Sequence, residues 1–194
     1  MTPLDLSDVG AGFRDPVADA QRCFRAVLDA MARPGAIREV GCSAPPPPLC
    51  PAAAAVLLTL VDHETPLWLD PTFAGARDWV AFHCGAAFAP PDAAAFLLSA
   101  ELPDLQTLRQ GSDEAPEESA TVILQLPRLG AGARFRLSGP GLAGPAMFSA
   151  EGLPPGFAAL WAANQAAFPR GVDLILCAGG HLAALPRTVA VEAL

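Results

Sequence analysis

Four stretches of strand length are apolar almost throughout, and this is the feature that most limits how the chain folds. They cover residues 94–99, 120–127, 172–177 and 182–185. A strand without polar alternation is typical of a sheet that is buried on both faces. Helical patterns lie between these stretches, so the sequence predicts an α/β fold with a single mixed sheet and helices on both faces. A further strong strand signal covers residues 134–138, and short strands are predicted at 37–40 and 65–69.

The first predicted helix has the clearest boundaries. Asp15-Pro16 is a typical N-cap followed by proline at the first helical position, and Pro34-Gly35 ends the helix. Between them, apolar residues follow the spacing of an amphipathic helix. These residues are Ala20, Phe24, Val27, Leu28 and Met31.

The remaining segments are assigned by composition. Further helices are predicted over residues 51–61 and 156–167, with one or two turns at 79–82. Residues 45–48 are a polyproline stretch, too short to link two domains. Residues 101–118 hold six acidic side chains and one basic one, which indicates a solvated loop region. We therefore expect one domain over residues 1–194.

Charge and composition exclude several functions. The 12 basic and 20 acidic residues give a net charge of −8, so no basic face is expected for nucleic acid. The longest apolar run, residues 52–61, is far shorter than the ~20 residues of a membrane helix. The amino terminus lacks a signal-peptide pattern and no Cys-x-x-Cys occurs. We therefore expect a cytoplasmic protein that binds neither membrane nor nucleic acid, with five reduced cysteines.

All 12 basic residues are arginine, and the chain has neither lysine nor tyrosine. It therefore has no Schiff-base lysine and no phenol to act as an acid or base. Charged residues make up only 16% of the chain, which is low for a globular protein. The low charge indicates a surface partly covered by a partner, or simply an alanine-rich composition.

Gly139-Pro140-Gly141-Leu142-Ala143-Gly144 follows a predicted strand and matches Gly-x-Gly-x-x-Gly by letter. In a dinucleotide-binding fold these glycines let the backbone approach a pyrophosphate at a helix N-terminus. Here Pro145 follows at once and no helical pattern comes after it. Asn164 stands near the position expected for the ribose-binding acid. A glycine–proline turn is the better interpretation.

Three clusters of reactive side chains have structural alternatives. His83-Cys84 suggests a thiol and a base, although a core thiol beside a buried or capped imidazole fits better. Cys177 and His181 have a metal-like spacing but lack further ligands, which favours a strand ending in a glycine turn. Asp62-His63-Glu64 is either a polar cluster at the carboxyl edge of the sheet or a solvated turn. We favour the turn.

Arg33 and Arg187 are the best candidates for binding an anion. Arg33 lies near Gly35, whose neighbourhood could expose backbone amides, and Arg187 follows a predicted strand and Pro186. Arginine grips phosphate or carboxylate with two parallel hydrogen bonds, which suits an anionic substrate. The alternative for each is an ion pair with one of the 20 carboxylates. No catalytic set and no metal site is predicted.

Short motifs in a fixed order carry a resemblance to a known family. The first set is Asp15-Pro16-Val17, Asp19-Ala20-Gln21, Phe24-Arg25, Leu28, Ala30-Met31 and Pro34-Gly35. The second is Leu57-Leu58-Thr59-Leu60, Asp62, Thr65-Pro66, Trp68-Leu69, Phe82-His83, Gly111, Pro116-Glu117, Ala120-Thr121 and Gln125. The third is Leu137, Gly139-Pro140-Gly141, Phe168-Pro169, Gly171-Val172-Asp173, Pro186-Arg187-Thr188 and Val191-Glu192. Together they resemble the PhnH family, a subunit of the bacterial carbon–phosphorus lyase system.

The resemblance implies a fold similar to the large domain of transferases that depend on pyridoxal phosphate (PLP), without a functioning cofactor site. It implies a homodimer when isolated, and a larger complex with PhnG, PhnI and PhnJ subunits in the cell. That complex joins an alkylphosphonate to the ribose of MgATP, giving ribose 1-phosphonate 5-triphosphate and adenine. No catalytic residue is implied for this subunit. The polyproline stretch and the acidic segment 101–118 depart from the family pattern.

Three hypotheses follow. In the first, the chain is an accessory, non-catalytic subunit of that complex. In the second, it is a stand-alone enzyme or binder that holds an anion in an interface cleft through Arg33 or Arg187. In the third, the fold houses a pyridoxal enzyme, although fold does not transfer chemistry and the chain has no lysine to form an aldimine.

Overall fold

The computed structural model describes residues 10–42 and 44–194. It contains four helices and nine strands within these ranges. The helices are α1 (Pro16–Ala32), α2 (Pro51–Leu60), α3 (Arg77–Cys84) and α4 (Phe157–Gln165). The strands are β1 (Arg38–Glu39), β2 (Leu67–Leu69), β3 (Phe96–Ser99), β4 (Thr121–Gln125), β5 (Arg128–Ser138), β6 (Ala146–Glu151), β7 (Asp173–Ala178), β8 (His181–Leu185) and β9 (Ala190–Ala193).

The main sheet has six strands in the order β1-β8-β7-β4-β3-β2. Strands β2, β3, β4 and β7 are parallel, and β8 and β1 complete the sheet in antiparallel pairings. The predicted mixed sheet and its apolar strands are therefore confirmed. Short 3₁₀ turns at Pro71–Ala76, Leu105–Thr107 and Pro116–Glu118 connect the elements.

Both faces of the main sheet are buried, against different layers. Along β7, Ile175 and Cys177 face a core formed with α1, α2 and α3. Their neighbours Leu174 and Leu176 face a second core, which contains Trp161 of α4. This alternation explains why the strand carries no polar residue between Leu174 and Ala178: each side chain enters one of two cores.

A three-stranded antiparallel sheet, β6-β5-β9, covers the same face of the main sheet as α4. The sequence did not predict this second sheet. Strand β5 was expected only over residues 134–138, yet it begins at Arg128. Its pairing with β6 shifts register between Leu129 and Ala133, and Gly130 and Gly132 lie in this irregular part. Those glycines resembled a loop in the sequence. Helices do lie on both faces of the main sheet, but α4 shares its face with this second sheet.

Helix α1 begins and ends close to the residues that the sequence predicts. The Asp15 carboxylate accepts from the Ala18 N–H and caps the helix, with Pro16 at its first position. Cys23, Val27 and Ala30 are buried on its inner face. None of the helices within residues 10–42 and 44–194 is both long and apolar enough to cross a membrane.

Candidate functional site at the Arg187 junction

Several of the motifs that carry the family resemblance meet around one side chain, Arg187. It follows β8 directly, after Pro186, and its guanidinium lies between the start of β7 and two connecting loops. We call Arg187, Asp173, Ser119, Pro116 and Pro169 the Arg187 junction. The side chains of Arg187 and Asp173 are only 12% and 19% exposed.

Every N–H of the Arg187 guanidinium has an acceptor in this junction. Nε and Nη2 donate to the two oxygens of Asp173, at 3.2 and 2.5 Å. Nη1 donates to the carbonyls of Pro116 and Pro169, at 2.9 and 3.3 Å, and Nη2 also donates to the Ser119 hydroxyl. The backbone N–H of Arg187 donates to Asp173 Oδ1 at 2.7 Å. A guanidinium with all five donors engaged has none left for an external anion.

The structure therefore shows an ion pair between Arg187 and Asp173. Such a pair was the alternative to anion binding that the sequence left open. The junction also lies at the amino edge of the parallel strands, since Asp173 begins β7 and Ser119 precedes β4. Ligands of open α/β sheets bind at the opposite, carboxyl edge. In this structure the Arg187 guanidinium joins two loops to the start of β7, and anion binding by Arg187 stays a prediction.

At the second predicted anion site, the side chain of Arg33 is accessible, but the backbone N–H of Gly35 is already hydrogen-bonded. Arg33 caps the end of α1 and forms an ion pair with Asp29, while its side chain stays 62% exposed. The Gly35 N–H, however, donates to the Ala184 carbonyl at 3.3 Å and is not open to a ligand. Gly35 has φ +80°, a conformation that favours glycine, and a Cβ there would lie 2.6 Å from Leu137 Cδ1. Anion binding by Arg33 stays a prediction.

At the carboxyl edge of the sheet, the side chains of Gln125 and Asp70 bind other parts of the chain. Gln125 ends β4; its carbonyl accepts from the Cys50 N–H, and its amide donates to the Pro48 carbonyl, both at 2.8 Å. Gln125 thus fastens the polyproline stretch over the end of β4. Asp70, after β2, accepts from the Thr72 N–H and the Ser99 hydroxyl. Neither side chain is free to act as a catalytic group without releasing these contacts.

His83 and Cys84 lie at the end of α3 and do not form a catalytic pair. His83 Nε2 is 2.9 Å from the Gly10 carbonyl, and its ring packs on Trp79. Cys84 is buried, and burial raises the pKa of its thiol to about 12. The interpretation as a core thiol beside a capped imidazole is the one the structure shows.

Cys177 and His181 belong to the β7–β8 hairpin but point to different environments. Cys177 pairs in register with Leu182 and is fully buried, whereas His181 pairs with Ala178 and is exposed. Gly179, with φ +53°, makes the turn between the strands. Within the described part of the chain, no three His, Cys, Asp or Glu side chains cluster closely enough to hold a metal ion.

Asp62, His63 and Glu64 form an exposed turn that precedes β2. The Asp62 carboxylate accepts from the Glu64 and Thr65 N–H groups, which closes the turn. Because the turn precedes a parallel strand, it lies at the amino edge of the sheet. The alternative of a polar cluster at the carboxyl edge is therefore wrong.

The Gly-x-Gly-x-x-Gly segment is a turn between β5 and β6, and a dinucleotide-binding role is wrong because no helix follows it. Gly141 has φ +82°, and a Cβ there would overlap the Ala32 carbonyl at the end of α1. Nothing lies within 4 Å of a Cβ built at Gly144. Gly141 thus allows close packing against the end of α1, and Gly139 allows close packing against Thr188 and Val189.

Sequence reasoning tested Asn164 only against the dinucleotide pattern and missed its role. Asn164 is fully buried on α4 and exchanges two hydrogen bonds with Val172, each 2.9 Å long. Trp161, one turn earlier, donates to the Val189 carbonyl at 2.7 Å. These contacts position α4 beside the Arg187 junction. The signal was a polar residue on the apolar side of a helix that carries no charged residue.

These features define an α/β protein with a mixed main sheet, a small second sheet and an arginine junction built from loops. Residues 11–192 match the family described as bacterial phosphonate metabolism protein (PhnH). The chain is 41% identical over 187 residues to the α-D-ribose 1-methylphosphonate 5-triphosphate synthase subunit PhnH of Rhizobium meliloti (strain 1021), covering 93% of this chain and 94% of that protein. It is 36% identical over 173 residues to the putative C-P lyase subunit protein HtxG of Stutzerimonas stutzeri, covering 89% and 85%.

The chain belongs to the PhnH family. The match covers all four helices and nearly all of both sheets, so it includes the Arg187 junction. The resemblance inferred from short motifs is therefore confirmed.

Proposed function

We propose that this chain is a subunit of the carbon–phosphorus lyase core complex, which couples an alkylphosphonate to the ribose of MgATP. The products are ribose 1-phosphonate 5-triphosphate and adenine, within phosphonate catabolism. The observation that carries the proposal is membership of the PhnH family, together with the names of two relatives that align over most of their length.

Within that complex, the proposed role is accessory and non-catalytic. The candidate reactive groups are engaged in the fold: Arg187 in its junction, Gln125 in the polyproline loop, and Cys84 as a buried thiol. The chain then contributes contact surface to PhnG, PhnI and PhnJ-type subunits in the cytoplasm, and forms a homodimer when isolated. A subunit of this kind acts by positioning its partners.

Two further expectations belong to the same proposal. The fold is similar to the large domain of PLP-dependent transferases, and the chain holds no PLP. The absence of lysine supports the second point, because an internal aldimine needs a lysine amine. Incubation with PLP followed by dialysis leaves no aldimine absorbance if this is right. A retained absorbance would contradict it.

The experiment that tests the function is co-expression of the tagged chain with the PhnG, PhnI and PhnJ-type subunits of the same genome. We expect one complex that retains this chain through size-exclusion chromatography. We also expect deletion of the gene to abolish growth on methylphosphonate as sole phosphorus source. Recovery of the chain alone, with normal growth of the deletion strain, would overturn the proposal.

A second candidate, a stand-alone anion binder, is favoured by one pocket that the sequence did not predict. It has a volume of about 330 Å³ at the carboxyl end of β7, and Arg128 and His181 line it with Gly179. Arg128 is 69% exposed, and its contact with Glu151 is long, at 3.9 Å. Calorimetric titration of the isolated chain with methylphosphonate and MgATP tests this candidate. Micromolar binding that Arg128→Ala abolishes would raise it above the subunit proposal.

A further inference from the structure

Helix α4 presents an uncharged face to solvent. Its sequence, FAALWAANQ, contains no charged residue. The buried side is formed by Phe157, Trp161 and Asn164. A surface helix of a globular protein normally carries charged residues opposite its core side, and a helix that is apolar all round is normally covered. The outward residues are Ala159, Leu160, Ala162, Ala163 and Ala166.

A groove runs along each side of this helix. One, of about 410 Å³, is lined by Ala162, Ala166 and Phe168 among others. The other, of about 380 Å³, lies between Leu160 and the segment from Leu102 to Gln106. Phe168 and Leu160 remain 61% and 50% exposed. We call the outward side of α4 with these two grooves the α4 face.

The α4 face is bordered by negative charge. Asp104 lines the groove on the Leu160 side. On the other side, Phe168 and Thr188 also line an adjoining depression that contains Glu117. Glu117 and Glu118 are exposed and take part in no salt bridge with the residues that the structure describes. An apolar centre bordered by carboxylates that form no salt bridge is complementary to an apolar segment flanked by basic residues.

We propose that the α4 face is the surface through which this chain binds a partner subunit, and that the partner inserts an apolar segment with flanking arginine or lysine residues. The inference rests on the proposed function and names the surface that performs it. A second copy of this chain is a poorer occupant. A two-fold interface brings the same patch against itself, so the Glu117 and Asp104 borders would meet like charges, in a chain of net charge −8.

The contact would be centred on Phe168, because large aromatic side chains near the middle of an interface contribute most of the binding free energy. Phe168→Ala is therefore the first test variant. Phe82→Ala is its matched control, since Phe82 is 52% exposed on α3, which packs on the other face of the main sheet. Both variants are first compared with the wild-type chain by thermal unfolding.

We expect Phe168→Ala to weaken binding of the co-expressed partner subunits by about 30-fold, measured by interferometry with the tagged chain. Phe82→Ala leaves it unchanged. Glu117→Lys weakens it as well, and its effect shrinks at high salt, whereas the control Glu64→Lys has none. Equal binding by wild type, Phe168→Ala and Glu117→Lys would overturn the inference and leave the proposed function standing.

Photo-crosslinking identifies the occupant even if a variant folds poorly. The photoreactive residue p-benzoylphenylalanine replaces Phe168 in one sample and Phe82 in another. A crosslink from position 168 to a partner subunit is the expected result. A crosslink only to a second copy of this chain, or none from 168 in an intact complex, would contradict the inference. Failure of the wild-type chain to form any complex would remove the proposed function as well.

Discussion

Arg187 and Asp173 form a two-pronged ion pair at the start of β7, with Nη2 2.5 Å from Oδ2 and Nε 3.2 Å from Oδ1. The same guanidinium reaches Pro116 and Pro169, so one side chain joins β7, β8 and two loops. An ion pair of this kind fixes geometry more than it adds net stability, because burying both charges costs most of what their attraction returns.

Removing both partners of this pair should therefore cost less than the sum of removing each one alone. We expect Arg187→Ala to lower the free energy of unfolding by about 3 kcal/mol, since Asp173 would stay buried without its counter-charge. The double variant with Asp173→Ala should lose less than the sum of the single variants. Urea unfolding measures all three. Additive losses, or a loss below about 1 kcal/mol for Arg187→Ala, would show that the junction is not a buried pair.

Asn164→Ala removes both hydrogen bonds between α4 and Val172. It leaves a buried N–H and carbonyl of Val172 without partners, which should cost about 2–3 kcal/mol. Gln165→Ala is the neighbouring control, because that side chain is half-buried and makes one long hydrogen bond, 3.3 Å from the Thr188 carbonyl. The comparison is made by thermal unfolding. Equal losses in the two variants would refute the specific role of Asn164.

Gly141 and Gly144 belong to the same glycine-rich turn but differ in their surroundings. Gly141→Ala should destabilise the chain by about 1–3 kcal/mol, because its φ of +82° disfavours a side chain and a Cβ would meet the Ala32 carbonyl. Gly144→Ala should be neutral, since no atom lies within 4 Å of a Cβ there. Denaturant midpoints test the pair. A tolerated Gly141→Ala would contradict the packing against α1.

Much of the main sheet was predictable because its strands are buried on both faces. The run from Val172 to Cys177 has no polar alternation apart from Asp173, and only a strand between two cores fits it. The second sheet was not predictable in the same way. Strand β5 passes through Gly130 and Gly132 at positive φ, which in sequence is a turn signal, and β9 has only four residues.

The site shows the limit of reasoning from residue types. Arginine's preference for phosphate and carboxylate is real, but the sequence does not say whether the carboxylate is a substrate or Asp173. That choice depends on the approach of segments 14 and 71 residues away along the chain. The uncharged composition of α4, in contrast, was visible in the sequence, and only the structure showed that its alanines face outward.

Asp70 should make stability depend on pH on the acid side. Burial acts to raise the pKa of its carboxyl, and hydrogen bonds from Thr72 and Ser99 more than offset this, so the pKa lies below its ordinary value. When the pKa of a carboxyl is lower in the folded state, the ionised carboxyl stabilises the protein at every pH above the unfolded-state pKa, near 3.9. This stabilisation is lost as the pH falls through the folded-state pKa.

Asp70→Asn should therefore lower the unfolding temperature at pH 7, and the difference from wild type should shrink below about pH 4. Asp92→Asn, at an exposed turn, is the control. Calorimetric scans across this range provide the measurement. A difference that grows on acidification would reverse the assigned direction of the shift.

Cys84 and Cys177 should resist alkylation in the folded chain. Burial raises the pKa of Cys84 to about 12 and raises that of Cys177 well above its ordinary value, so few thiolates exist at pH 8. We expect iodoacetamide to label both only after unfolding in guanidinium, as read by peptide mass spectrometry. Rapid labelling of native Cys84 would instead revive a thiol-based activity at His83-Cys84.

The proposed role of this chain is to bind other subunits of the phosphonate-processing complex. Native mass spectrometry of the tagged chain, co-expressed with the PhnG, PhnI and PhnJ-type subunits of its genome, tests this most directly. We expect one assembly whose mass contains this chain with the other subunits, and loss of this chain from it when Phe168 is replaced by alanine. Detection of this chain only as a monomer or homodimer, beside an assembly of the others that lacks it, would contradict the claim.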